Sequence, residues 1–401
     1  MKIYDLIIVG AGIAGKATSL RLAQLGLKIL HIAPSFDSGF DGKDPQVLDS
    51  RIYALSASTQ ALFKKIHVWD ALDQSRVQVV SDMRIYGDSG TSGDELHFSA
   101  YSATVPQLAW IVESGHIEKT LDAACQFQGL IQRVTDKVVE LVSNTGDVQV
   151  TTESGASYQA KLLLAADGAR SLIRDKMQIQ VTSNDYEQTA VVANFACEKH
   201  HQGTACQWFL PGGDILALLP LPDKKLSMVW STSTQHAETL KTLSPEDLCV
   251  QVMRAANGQV AQKTGSLNLL TAAQGFPLRR MRAQRMIAPD VNPRVVLLGD
   301  AAHVMHPLAG QGLNLGLRDV SNLAEILESR ETFRTFDDPV LLRRFERARH
   351  GDADALLFTT DRLQKLFSHE SSKAKTLRNL GMRMVNRSHF LKRQLIKQAL
   401  A

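Results

Sequence analysis

The sequence predicts an α/β chain in which a parallel-sheet domain is interleaved with an antiparallel-sheet domain and followed by a helical C-terminal segment. Three observations predict it. A strand–helix–strand unit of about 30 residues opens the chain. The α/β rhythm breaks over roughly residues 181 to 275. An acid-free, basic, amphipathic run closes the chain from Ser371. A length of 401 residues exceeds one simple core, and 44% hydrophobic with 21% charged residues describes an ordinary globular protein.

The opening unit is read first. Residues 4 to 9, YDLIIV, form a continuous apolar run, the pattern of a parallel strand buried on both faces. Gly10-Ala11-Gly12-Ile13-Ala14-Gly15 follows at once. From Ile13 to Leu25 apolar residues recur at Ile13, Ala17, Leu20 and Ala23, and Gly26 stops the helix. The second strand is KILHIA, residues 28 to 33. A GxGxxG in this strand-to-helix turn is a dinucleotide fingerprint. Gly10 permits the tight turn, Gly12 lets a pyrophosphate reach the backbone, and Gly15 lets helix and strand pack closely, while the amides of Ile13 and Ala14 at the helix start face the anion. The second strand should end in an acid for the ribose hydroxyls. Here it ends in Ala33 and Pro34, with Asp37 the nearest candidate substitute.

Three further stretches place charged residues at turns. LDSRIYALS sets Arg51 after a polar loop. KLLLAADGARSLIRD is a strand ending in Asp167-Gly168, with Ser171 and Arg174 at a helix start. VVLLGDAAHVMHPLAGQGLNLGLRD runs an apolar strand into Gly299-Asp300, then a loop of Gly, Ala and Pro, then a helix starting near Leu313.

In order and spacing, DxR at 49–51, WIVES, AADGARS, GFPL, LLGDAAH, HPLAGQGLNLGLRD and FERARHGDADAL resemble the FAD-dependent ubiquinone-biosynthesis hydroxylases, within the para-hydroxybenzoate hydroxylase superfamily of flavin aromatic monooxygenases. The resemblance covers nearly the whole chain. It implies a Rossmann-like FAD-binding domain over 1–75, 104–180 and 276–365, a substrate-binding β-sheet domain over 76–103 and 181–275, and a basic helical segment over 366–401. It implies that Asp300, beside Gly299, accepts hydrogen bonds from the ribityl hydroxyls. It further implies that Arg51 and Glu113 touch FAD, that the Val138 backbone lies near the adenine, and that Asp167 shapes the flavin and nicotinamide sites. Arg170 or Arg174 is a candidate for a nicotinamide phosphate, with a plain surface arginine an equal reading. The loop Pro307, Gly310, Gln311, Gly312, Leu313, Asn314 is expected to pass the isoalloxazine, with bare amides and a positive helix end toward it. His303 and His306 form HxxH without a ligand cluster, which is poor evidence for a metal.

The chemistry that the resemblance implies is monooxygenation. NADPH or NADH reduces FAD, O2 reacts with the reduced cofactor, and one oxygen atom passes to an electron-rich ring. Only one GxGxxG exists, so the nicotinamide co-substrate is expected to bind without a domain of its own. No catalytic acid or base is singled out by spacing.

TAVVANFAC (189–197) and QWFLPGGDILALLPLPDKKLSMVWSTS (207–233) read as hairpins with turns at Pro211-Gly212-Gly213 and Pro222-Asp223-Lys224. In the resembling fold this sheet floors the substrate pocket. Trp208, Leu218, Pro220, Met228 and Trp230 are candidate lining residues, with sheet core the competing reading.

From Ser371 to Ala401 there are eight Lys or Arg and no acid, with Leu377, Leu380, Met384, Leu391, Leu395 and Leu400 interleaved. This suits an anionic membrane face, where a polyprenyl phenol or quinol substrate would reside, or a multiprotein ubiquinone-synthesis complex. A helix packed on the first domain is the alternative. No recognition motif accompanies the charge, so a nucleic acid partner is not expected. The N-terminal apolar run is too short for a signal segment, and Cys125, Cys197, Cys206 and Cys249 form no metal spacing. A cytoplasmic protein, at most peripheral to the membrane, is expected. Two rival readings stay open: a hydroxylase of a small soluble phenol, and a non-catalytic FAD-binding member of a biosynthetic assembly.

Overall fold

The computed structural model describes residues 3–37, 47–87, 95–305 and 311–368, with side chains described to 354. The apolar runs form one parallel sheet. Its strands lie in the order Val295–Leu297, Ser157–Ala165, Ile3–Val9, Ile29–Ala33, Ile131–Thr135, with Ile287–Ala288 antiparallel at one edge. Leu6, Ile7, Ile8, Ile29, Leu30, Leu163 and Val295 to Leu298 are fully buried, as expected of parallel strands covered on both faces. The helix Ile13–Ala23 packs against Ser114–Phe127 and Gln311–Glu328 in a second cluster built on Ile117, Leu121, Leu317 and Val320.

Three strands of this sheet end side by side. Ala166 N donates to Val9 O at 2.8 Å and Leu298 N to Ala165 O at 2.9 Å. Gly10, Asp167 and Gly299 therefore emerge at the carboxyl edge of adjacent parallel strands, where open α/β sheets bind ligands.

The second sheet has nine strands. The path runs His303–Val304, Gln274–Ala283, Val181–Cys197, Lys225–Ser233, Ile215–Leu221, Thr204–Phe209, Asp82–Tyr86, Glu95–Ser99, and Leu267–Leu269 pairs with Val181–Cys197. Except for the parallel Thr204–Phe209 and Asp82–Tyr86 pair, neighbours are antiparallel. The domain boundary drawn at 276 falls inside the strand Gln274–Ala283. His303–Val304, just past the Gly299–Asp300 turn, joins the same sheet, so the two domains share that stretch.

Side chains alternate between the faces of this sheet. One face carries Phe195, Trp208, Leu216, Leu218, Met228 and Trp230. It is buried against the helices Thr234–Thr242, Pro245–Ala255 and Gln259–Thr264 through Ala237, Leu240, Leu248, Val252 and Val260. Trp208 stacks on Tyr86 at 5.2 Å and its indole N–H donates to Gln259; that of Trp230 donates to Asp214. Buried Pro220 shares the register of Leu218. The expected pocket residues Trp208, Leu218, Pro220, Met228 and Trp230 are thus core of a sheet–helix layer. The reason is physical: three amphipathic helices after residue 233, which the strand pattern did not disclose, need an apolar face to cover. The hollow that Trp208 and Leu218 line with Lys263 measures about 30 Å³, room for a water and not for an aromatic ring.

The other face carries Val192, Asn194, Gln207, Ala217, Leu219, Ser227 and Val229. Leu219 and Leu221 pack with Leu48, Ile52, Ile111 and Val80, which belong to the small sheet Ile52–Leu55, Ala109–Glu113, Gln78–Val80 and the loop before it. This face looks toward the first domain.

Trp208→Ala should lower unfolding stability by about 3–5 kcal/mol, read from urea denaturation. A loss below about 1 kcal/mol would place the ring outside the core.

Candidate cofactor site

The turn after the first strand holds together only without side chains. Gly10 has φ +112°, and a Cβ there would lie 2.2 Å from Ala166 O; a Cβ on Gly15 would lie 1.9 Å from Gly10 O. Helix and two strands therefore touch backbone to backbone. A Cβ on Gly12 would meet nothing within 4 Å, and Gly12 is exposed. Its bareness serves no internal contact and leaves a way open to the helix start. No side chain caps the helix Ile13–Ala23, so its first amides point outward unpaired by a cap.

Asp300 stands at the next strand tip. Solvent reaches it, yet burial among surrounding protein raises its pKa, and His303, Arg51 and Arg279 only partly offset this. A carboxylate that solvent reaches, with Arg51 and Arg279 near it, can accept from hydroxyl donors. Asp167 lies at the strand tip between. Its Oδ2 accepts from Ile173 N at 3.2 Å, its Oδ1 is buried without a partner, and burial raises its pKa against Ser171 and the Ile173 amide. The helix Gln311–Glu328 packs on the Gly299–Asp300 turn, where a Cβ on Gly316 would lie 3.0 Å from Gly299 Cα. An exposed bare turn, a hemmed-in acid and an orphaned carboxylate oxygen at one sheet edge fit a dinucleotide with a polyhydroxyl linker.

Other expected residues are placed as follows. Arg51 is exposed with its guanidinium 5.1 Å from the centre of the Phe276 ring. Its loop is braced from behind: Asp49 accepts from Arg51 N and Gly115 N, and Asp49 N donates to Glu113. Glu113 is buried and forked by Arg76, whose Nε and Nη2 donate at 2.8 and 2.9 Å. Its carboxylate is thus engaged in holding the Arg51 loop. Val138 buries its side chain in the parallel core, one turn from Asp136, whose N–H donates to Ala33 O. Asp136 is the acid nearest the second strand's end, but Ser154 and the Lys137 amide occupy it and draw its pKa down to about 2. Asp37 is exposed. The Asn314 side chain turns inward, accepting from Ser56 N and Thr59 Oγ1 and donating to Ala54 O. Gln311, Gly312 and Leu313 are half-buried at the helix start. His306, Pro307 and Gly310 lie outside the described residues.

Arg174 is no surface arginine. It is buried, and its guanidinium donates to the carbonyls of Ala169 and Ala301, tying the Asp167 segment to the Asp300 segment; Arg170 is exposed. His303 lies 2.8 Å from buried Asp319. Sequence reasoning missed Arg76, Asp319 and Arg349, since ion pairs across 30 or more residues leave no local pattern, and it missed Arg279, whose charge acts on Asp300. It also missed Lys16, buried in the fingerprint helix, whose ammonium donates to Phe36 O at 3.0 Å and pairs with Asp122.

Comparison with known proteins agrees with this geometry. Residues 4–357 match the FAD binding domain family. The chain is 31% identical to ubiquinone hydroxylase UbiL of Rhodospirillum rubrum, over all of this chain and 90% of that one. The chain belongs to the FAD-dependent ubiquinone hydroxylase family. It is also 30% identical to 3-demethoxyubiquinol 3-hydroxylase of Escherichia coli, over 99% of this chain and 98% of that one. The fold matches p-nitrophenol 4-monooxygenase PnpA from Pseudomonas putida with a TM-score of 0.75, at 17% identity, covering 100% of this chain and 99% of that one. FAD is therefore the dinucleotide of this family member, and the Gly12 turn, Asp167 and Asp300 are the candidate positions for it at this sheet edge.

Gly12→Ala should leave the unfolding midpoint of the FAD-free protein unchanged while weakening FAD binding at least tenfold, because the added methyl meets only the ligand. Gly15→Ala should lower the midpoint itself. Equal midpoints for the two variants would refute this division of labour.

Asp300→Asn should weaken FAD binding roughly ten- to hundred-fold, the loss of hydrogen bonds to a charged acceptor. The sign of its effect on the FAD-free protein is opposite. A carboxyl whose folded pKa is raised destabilises the fold above that pKa and costs nothing below its unfolded value of about 4. The amide should raise the unfolding midpoint at pH 7, and the gain should vanish near pH 3. A lowered midpoint at pH 7 would contradict it.

Proposed function

We propose that this member of the ubiquinone hydroxylase family hydroxylates the aromatic ring of a polyprenyl phenol or benzoquinol during ubiquinone biosynthesis, with NAD(P)H and O2 as co-substrates. The reading rests on the chain's relatives among the ubiquinone hydroxylases, together with Asp300 at the carboxyl edge of the parallel sheet and a largely apolar face of the second sheet turned toward the same domain. Bound FAD supplies the electron transfer and oxygen activation; the protein binds, orients and keeps water out. With FAD bound, the first amides of Ile13–Ala23 would meet the pyrophosphate, Asp300 would accept from the ribityl hydroxyls, and the positive end of Gln311–Glu328 would favour negative charge on the reduced ring.

On the sheet face, Val192, Ala217, Leu219 and Val229 exclude water. Asn194 and Ser227 are cross-strand neighbours there, each less than 2% exposed. Asn194 Nδ2 donates to Asp49 O at 3.0 Å, but Asn194 Oδ1 and Ser227 Oγ are buried with no hydrogen-bond partner. Both oxygens are sealed from solvent, so a ring hydroxyl reaches them only when the side chains around them move aside.

The tail 371–401 lies outside the described residues. Its eight cations and interleaved leucines support contact with the anionic inner face of the cytoplasmic membrane, or with partner proteins there. Among the described residues no helix is long and apolar enough to cross a membrane.

A strain lacking the protein should accumulate a prenylated ring short of one hydroxyl. The purified protein should convert that compound under 18O2 with one labelled oxygen in the ring, and it should float with anionic but not neutral vesicles. Unlabelled product or no conversion would defeat the hydroxylase reading.

A further inference from the structure

The Gly299–Asp300 turn is gripped from behind by a buried ionic cluster that no local motif announced. Asp319, fully buried on Gln311–Glu328, accepts from Gly299 N with Oδ2 at 2.8 Å and from Arg349 Nε with Oδ1 at 2.7 Å. His303 Nε2 lies 2.8 Å from the same Oδ2, close enough for charge contact though off the line of a hydrogen bond. Burial would raise the Asp319 pKa, but His303 and Arg349 outweigh it and hold the carboxyl below its ordinary value. Gly299 thus donates to an ionised acceptor, the stronger class of hydrogen bond.

Arg349 lies 30 residues further on, in the helix Pro339–Ser368. It is 4% exposed, and it also donates to Asp352 at 2.6 Å and reaches Leu315 O at 3.5 Å. Arg318 comes within 3.5 Å of the same Asp352 oxygen. The guanidinium therefore bridges both long helices and neutralises the one charge that touches the turn's backbone. With Gly299 at φ +57° and pressed on Gly316, the amide has a single orientation, and the Asp300 side chain follows it.

We propose that Arg349 and Asp319 are positioning residues for the Asp300 carboxylate, so that the C-terminal helix governs cofactor affinity without touching the cofactor. The proposal rests on Asp300 being an FAD ligand. Outer partners that fix a ligating group typically cost about ten- to hundred-fold in affinity when removed, whereas a merely structural pair would lower stability alone.

The test titrates FAD into the refolded, cofactor-free chain by flavin fluorescence and records the bound-flavin absorbance spectrum. Arg349→Met should raise the FAD Kd roughly ten- to hundred-fold and alter the spectrum. Arg349→Lys, which keeps charge but not the fork, should recover most of the affinity. Arg344→Met, removing a half-buried arginine of the same helix paired with Glu331, should leave the Kd unchanged. Should Arg349→Met fail to fold, Asp319→Asn takes its place, with a Kd raised several-fold expected. A lowered unfolding midpoint with an unchanged Kd and spectrum in Arg349→Met, or in Asp319→Asn where it takes that place, would overturn the proposal. A wild-type chain that binds no FAD would instead strike the underlying site assignment.

Discussion

Backbone-on-backbone contact at the carboxyl edge of the parallel sheet governs everything built on it. Gly15 sits on Gly10 O, Gly10 on Ala166 O, and Gly316 on Gly299. Each contact removes the space a side chain would need. Together they bring three strand tips within reach of one ligand, and the functional groups carried just beyond those tips, the helix amides after Gly12, Asp167 and Asp300, converge as a result. The hydrophobic effect drives the strands together, but hard-core repulsion at these few atoms fixes how near they come.

The polar part of the site obeys a different logic. Its exposed groups are few, and each is fastened by buried ones. Arg76 and Glu113 hold Asp49, and Asp49 holds the backbone at Arg51. Arg174 ties the Asp167 segment to Ala301. Buried ion pairs are weak evidence of stability, because desolvation cancels much of the attraction. What they supply is a single geometry, which a cofactor with several fixed contact points requires.

How much could be read from the chain follows from the range of each signal. The opening strand, turn and helix were legible because a continuous apolar run, three glycines and a 3.6-residue period occur within about 25 residues. Asp300 was legible because an acid at the tip of an apolar strand has no business in a core. The side of the second sheet that faces the first domain was not legible. Alternation told that Trp208, Leu218 and Trp230 share a face, yet only the packing of Thr234–Thr264 against that face tells which one it is. A bulky aromatic draws the eye to a pocket, while the informative residues proved to be plain: Asn194 and Ser227 carry orphaned oxygens, and their letters show nothing of it. Glu113 and Arg174 were noticed for their charge, but their partners lie far away in sequence, and distance in the chain conceals whether a charge is offered outward or consumed within.

The helical layer behind the second sheet gives that half of the molecule a hydrophobic core of its own, distinct from the cluster around Leu219 and Leu221 on the front. Anchored from the rear, the front surface is released from the duty of keeping the sheet folded. Val192, Ala217 and Val229 can then drift in size and polarity at small thermodynamic penalty. Substitutions at those positions then reshape the front surface one at a time while the rear core keeps the sheet folded.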